Sequence, residues 1–136
     1  MYTRVYVEIT NICNMNCSFC HGHSRSPRQM TQQEYARVLE QLTGKTQYIY
    51  HHLMGEPLTH PQLPEMIGIA TKLGFKSQIT TNGTLLKDRG QALIDAKVHK
   101  VNISVHSFEE GTNQDYVNYI RGCLDFAKQA SRAGTL

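Results

Sequence analysis

The chain has 136 residues, with 14 Lys and Arg against 11 Asp and Glu, for a formal net charge of +3. Hydrophobic residues make up 40% and charged residues 18%, the balance of a globular domain with a single core rather than of a disordered chain. No apolar run is long enough to span a bilayer, Met1 to Val7 lack the apolar segment of a signal peptide, and the basic excess is small and scattered. Neither a membrane nor a nucleic-acid partner is therefore indicated.

Val5-Tyr6-Val7-Glu8-Ile9-Thr10 is β-branched and aromatic and predicts a first strand that stops at Asn11. A long polar loop follows to Met30, with Gly22 and Pro27, and it carries three of the four cysteines. Thr31-Gln32-Gln33-Glu34 has the form of a capping box. Tyr35, Val38, Leu39 and Leu42 then recur at helical spacing up to Gly44, which predicts an amphipathic helix. Tyr48 to Leu53 reads as a second strand, broken by Met54-Gly55-Glu56-Pro57. Pro61 suits the first turn of a second helix, whose stripe is Leu63, Met66, Ile67, Ala70 and Leu73 before Gly74. Phe75 to Thr81 predicts a third strand ended by Asn82-Gly83, and Thr84 to Ala96 a third helix weakened by Gly90. Val98 to Val105 alternates as a fourth strand. Thr112 to Ala133 is the longest helix, with Tyr116, Ile120, Cys123, Ala127 and Ala130 on one face.

Strand and helix alternate four times, which predicts an α/β fold with a parallel sheet, right-handed crossovers and helices outside it. Ligands of such sheets bind at the carboxyl ends of the strands. The cysteine loop, Met54-Gly55-Glu56-Pro57 and Thr81-Asn82-Gly83 each follow a strand, so topology alone gathers them at one edge. Four units cannot close an eight-stranded barrel, and Gly134-Thr135-Leu136 stand where a further strand would begin. The expectation is a portion of a longer sheet whose open edge favours association.

Cys13, Cys17 and Cys20 are spaced C-x3-C-x2-C. Thiols so close together rarely frame disulfides, and without a secretory signal they are expected to stay reduced, as in the cytoplasm. Three thiolates suit three irons of a cubane 4Fe-4S cluster and leave the fourth iron open to another ligand. The same three with His21 or His23 make a Cys3His zinc site. Cys123 reads as a buried apolar residue of the last helix.

Cys13-Asn14-Met15-Asn16-Cys17-Ser18-Phe19-Cys20, placed after a first strand and with an aromatic before its last cysteine, resembles the signature loop of the radical S-adenosylmethionine (SAM) enzymes. Met54-Gly55-Glu56-Pro57 resembles that family's Gly-Gly-Glu-Pro motif, with Met54 in place of the first glycine. Thr81-Asn82-Gly83 resembles its third-strand end, and Ser104-Val105-His106 lies where a fourth-strand polar residue meets the cosubstrate. The resemblance runs from about Val5 to Ala133. It implies a partial (β/α) barrel of the radical SAM type, about four βα units of a core that has six. Residues 1–136 would be the N-terminal portion of that core domain.

The resemblance further implies Cys13, Cys17 and Cys20 as ligands of a 4Fe-4S cluster. Phe19, Gly55, Glu56, Asn82, Ser104 and His106 would be the residues against SAM. The implied reaction is reductive cleavage of SAM to a 5′-deoxyadenosyl radical and hydrogen abstraction from a substrate, a small molecule or a peptide. An electron donor such as ferredoxin or flavodoxin is implied as a partner. The competing expectations are a non-catalytic iron–sulfur module and a zinc-stabilised binding module.

Overall fold

The computed structural model describes residues 1–14, 24–105 and 112–136. Four strands, β1 (Val5–Tyr6), β2 (Tyr48–Tyr50), β3 (Lys76–Thr81) and β4 (Lys100–Ile103), alternate with four helices, α1 (Gln32–Leu42), α2 (Leu63–Lys72), α3 (Leu86–Asp95) and α4 (Asn113–Arg132). A 3-10 turn, Pro57–Thr59, stands between β2 and α2. The strands pair in parallel in the order β1-β2-β3-β4. Every crossover thus steps one strand in the same direction, as in the wall of a (β/α) barrel rather than in a doubly wound sheet. The expected α/β architecture of four units is the one observed.

The pleat sorts the side chains. Val7, Ile9, Ile49 and Ile79 are buried against Leu39, Leu63, Met66, Ile67 and Leu93 of the helices. The register, Val5 beside Ile49 and Ile79 beside Val101, keeps these residues on one face. Tyr6, Tyr50, His52, Gln78 and Thr80 alternate with them and take the opposite face, where the Tyr6 and Tyr50 rings stack at 4.8 Å and Tyr6 is 46% exposed. Helices therefore cover one side of the sheet, and its other side is polar and aromatic.

The strands are shorter than the sequence pattern predicts, but their bonds run on. The Val7 N–H donates to the Tyr50 carbonyl (2.8 Å), His51 to Gln78 (3.0 Å) and Ser104 to Thr81 (2.8 Å). Beyond β4, Leu136 donates to the His99 carbonyl (3.0 Å) and accepts from the Val101 N–H (2.9 Å), the pattern of a parallel ladder.

Three helix details differ from the pattern. The Thr31 hydroxyl caps α1 by accepting from the Glu34 N–H (3.1 Å), but the Glu34 carboxylate accepts from Arg28 (2.8 Å). In α2 it is Pro64, not Pro61, that occupies the first turn, and Leu73 at the helix end is 38% exposed. The buried face of α4 is Cys123, Phe126 and Ala130, while Tyr116 is 47% exposed. Gly90 supplies the reason: a β-carbon there would stand 2.5 Å from the Phe126 ring. The missing side chain of α3 admits Phe126, and that contact sets how α4 is rotated.

Candidate functional site

The cysteine loop is anchored at its base. Thr10 and Gln29 form an antiparallel bridge, the Met30 N–H donates to the Ile9 carbonyl (2.7 Å), and Asn11 N–H donates to the Arg28 carbonyl (3.2 Å). The Asn11 amide side chain accepts from the Arg28 N–H (2.8 Å) and donates to the Ser26 carbonyl (2.9 Å). Both arms of the loop are thereby fixed to the carboxyl end of β1. Glu8 adds a second tie: its carboxylate accepts from both terminal guanidinium nitrogens of Arg25 (2.5 and 3.1 Å) and from the Met54 N–H (3.0 Å). One carboxylate thus joins the return arm of the cysteine loop to the loop after β2.

The loop after β2 lies against the exit of β1. A β-carbon on Gly55 would stand 2.3 Å from the Thr10 carbonyl oxygen, so only glycine fits without displacing main chain. The Glu56 N–H donates to the Ile12 carbonyl (2.8 Å). The Glu56 carboxylate is 3% exposed and accepts three bonds, from the Thr81 hydroxyl (2.5 Å), the Asn82 N–H (2.8 Å) and the Leu58 N–H (3.2 Å). Burial pushes its pKa up, and the three donors partly offset that rise. Glu56 therefore spans from the second-strand loop to the end of β3.

Asn82 is the meeting point of the site. Its side-chain amide donates to the Asn14 carbonyl oxygen Oδ1 (2.8 Å), and its own Oδ1 accepts from the Thr84 hydroxyl (2.7 Å) and the Thr84 N–H (3.0 Å). Its backbone carbonyl accepts from the Tyr119 hydroxyl of α4 (2.6 Å). Gly83 follows in the left-handed region at φ 82°, and a β-carbon there would meet Cys123 Sγ and Ile103 Cγ2 at 2.9 Å. Burial raises the pKa of both Tyr119 and Cys123, so each stays protonated at neutral pH.

Gly55, Glu56, Asn82 and Ser104 all lie at the carboxyl edge of the sheet, as the topology requires, and Cys13 is exposed beside them on the loop that Asn14 ties to Asn82. Ser104 reaches this edge through its N–H to the Thr81 carbonyl. Cys17, Phe19, Cys20 and His106, with His21 and His23 of the zinc alternative, lie outside the described residues. Cys123 is buried on α4, as its place on the helical stripe predicts. His51 is a core residue: its Nδ1–H donates to the Gln78 carbonyl (3.2 Å), leaving Nε2 to accept from the Tyr35 hydroxyl (2.5 Å). Glu8, Asn14, Thr81, Thr84 and Tyr119 hold the site together; Asn14 and Thr81 stand within the quoted motifs, but none of the five is among the residues the sequence assigns to the site. Among the described residues, no group of three His, Cys, Asp or Glu side chains is placed to bind a metal ion, and no helix is long and apolar enough to cross a membrane.

These features define an α/β domain with helices on one side of a parallel sheet and its polar loops drawn together at the carboxyl edge. The Radical SAM superfamily model matches residues 7–133, and the chain belongs to that superfamily of enzymes, which use a 4Fe-4S cluster and SAM. Its relatives include the GTP 3′,8-cyclase of Chlorobaculum tepidum, 30% identical over 130 residues that cover 89% of this chain and 39% of the relative. The PqqA peptide cyclase of Bradyrhizobium diazoefficiens is 31% identical over 131 residues, covering 91% of this chain and 34% of the relative. The crystal structure of Streptococcus suis SuiB bound to S-adenosylmethionine shares the fold, with a TM-score of 0.69 at 21% identity over 97% of this chain and 32% of that one. The chain spans less than half the length of these proteins.

Proposed function

We propose that residues 1–136 are the amino-terminal portion of a radical SAM core domain that binds a 4Fe-4S cluster and SAM at the carboxyl edge of its sheet. The observation that carries this reading is the hydrogen-bonded chain from Asn14, next to Cys13, through Asn82 to Glu56, which joins the cysteine loop to two other strand-end loops. Cys13, Cys17 and Cys20 would hold the cluster, since thiolates are the donors it takes and three of them leave one iron for a further ligand. The chemistry such a cluster supplies when bound is one-electron reduction of SAM, giving methionine and a 5′-deoxyadenosyl radical that abstracts hydrogen. Gly55 keeps the second-strand loop free of a side chain where it meets β1, which leaves main-chain groups to contact SAM. Glu56 and Asn82 set the shape of that edge, Ser104 extends it to β4, and Phe19 and His106 would complete it. The substrate is a small molecule or a peptide, since relatives named for GTP and for the PqqA peptide match over most of the chain. The electron comes from a ferredoxin or flavodoxin in the cytoplasm, where the thiols stay reduced.

The test is anaerobic reconstitution of the intact chain with iron and sulfide, then reduction by dithionite in the presence of SAM. Bound iron and sulfide in equal amounts, lost together in the Cys13→Ala, Cys17→Ala, Cys20→Ala triple variant, and 5′-deoxyadenosine by mass spectrometry are the expected results. Iron unchanged in the triple variant, or zinc in place of iron, overturns the reading.

A further inference from the structure

We propose that Asn14 is a positioning residue that latches the outgoing arm of the cysteine loop to the loop after β3. Three side chains close a ring of hydrogen bonds. The Asn14 amide donates to the Thr84 hydroxyl oxygen (2.9 Å), the Thr84 hydroxyl donates to Asn82 Oδ1 (2.7 Å), and the Asn82 amide donates to Asn14 Oδ1 (2.8 Å). Each member gives one bond and takes one in the same sense around the ring, so the bonds polarise one another.

The two ends of this latch differ in rigidity. Asn82 is 7% exposed, its N–H is held by Glu56 and its carbonyl by Tyr119, and Gly83 after it has no room for a side chain. Asn14 is exposed, so the ring and not burial places it. The return arm of the loop has its own ties through Arg25 and Arg28. Asn14 is the residue after Cys13, so fixing its amide plane limits where the first cysteine of the motif can travel. The residue type follows from the geometry. The position needs an acceptor for the Asn82 amide and a second polar atom facing the Thr84 hydroxyl: asparagine supplies both as the ring stands, aspartate supplies both once that hydroxyl turns to donate, and leucine supplies neither.

This proposal rests on the cluster reading for its second measurement but not for its first. In the intact chain without metal, the Thr84 N–H is bonded to Asn82 Oδ1, so its hydrogen exchange reports the ring. Asn14→Leu should speed that exchange by about tenfold, as expected for the net loss of one to two hydrogen bonds, and lower the melting temperature by no more than roughly 4–7 °C. After anaerobic reconstitution, the same variant should lose iron to a chelator about tenfold faster than the parent. Thr84→Val should do likewise, and the double variant should add nothing, because a ring broken once is already open. Asn14→Asp accepts from Asn82 and from a turned Thr84 hydroxyl, and should restore most of the slow iron loss.

Unchanged Thr84 exchange and unchanged iron loss in Asn14→Leu overturn the latch. So do effects of Asn14→Leu and Thr84→Val that add, or an Asn14→Asp variant as impaired as Asn14→Leu. A parent chain that binds no iron, but whose Thr84 exchange responds to Asn14→Leu, keeps the latch and overturns the cluster reading instead.

Discussion

Replacing Gly55 by alanine tests the close approach on which the site is built. The new β-carbon would stand 2.3 Å from the Thr10 carbonyl oxygen, 2.8 Å from its carbon and 2.9 Å from the carbonyl carbon of Asn11. A carbon and an oxygen settle no closer than about 3.3 Å, so the two segments must part by roughly 1 Å. All three atoms are main chain at the end of β1, so no side chain can swing aside. The same strip carries the Glu56 N–H to Ile12 carbonyl bond at 2.8 Å, and an opening of that size takes it out of range. Overpacking costs about 1–3 kcal/mol and the lost bond about 1 kcal/mol, for a total of about 2–4 kcal/mol. In a chain of 136 residues that lowers the melting temperature by roughly 6–20 °C. Far-ultraviolet circular dichroism of the metal-free chain measures it. Gly55 does not adopt a left-handed φ, so alanine brings no backbone strain and the loss reports the contact alone. Gly44, left-handed with nothing within 4 Å, is the control, and its alanine variant should lose only about 1 kcal/mol. A Gly55→Ala melt no lower than that of Gly44→Ala would refute the close approach.

Glu56→Gln sets an amide nitrogen against one of the buried N–H donors, and chemical denaturation should show a loss of about 1–3 kcal/mol; an unchanged midpoint would mean that Glu56 is already protonated in the folded chain. Gly90→Ala favours an isolated helix by about 1 kcal/mol but drives a β-carbon into the Phe126 ring at 2.5 Å, so a net destabilisation is expected in the melt, and stabilisation would contradict the packing. Burial lowers the His51 pKa from 6.5 to about 4. Between those values the unfolded chain binds the extra proton, so His51 contributes stability that is present above pH 6.5 and lost as the pH falls through 4. The share at stake is at most on the order of 3 kcal/mol. Glu56, raised by burial, acts in the opposite sense and loses stability as the pH climbs, while His52 and His99, both lowered by burial, act with His51. Comparing melts of the parent and His51→Gln from pH 7 to pH 4 isolates the His51 share, and parallel profiles would count against it.

Much of the fold is legible in the sequence because its signals are local. Leu63, Met66, Ile67 and Ala70 repeat at helical spacing and are all buried on α2, and Thr31 caps α1 as its place before an apolar stripe predicts. The breaks at Gly55-Glu56-Pro57 and Asn82-Gly83 fall at strand ends, and parallel topology alone puts strand ends on one edge. Neighbouring residues set these features through backbone preference and periodicity. What escaped the sequence depends on side chains that meet across long stretches of chain. Phe126 filling the space at Gly90 turned the buried face of α4 away from Tyr116, and nothing near either residue announces the other. Glu34 leaves its helix cap for Arg28, Glu8 reaches the Met54 N–H, and Asn14 closes a ring with Asn82 and Thr84. Hydrogen bonds of this kind need partners within about 3 Å at the right angle, a condition that exists only once the sheet has brought its loops together.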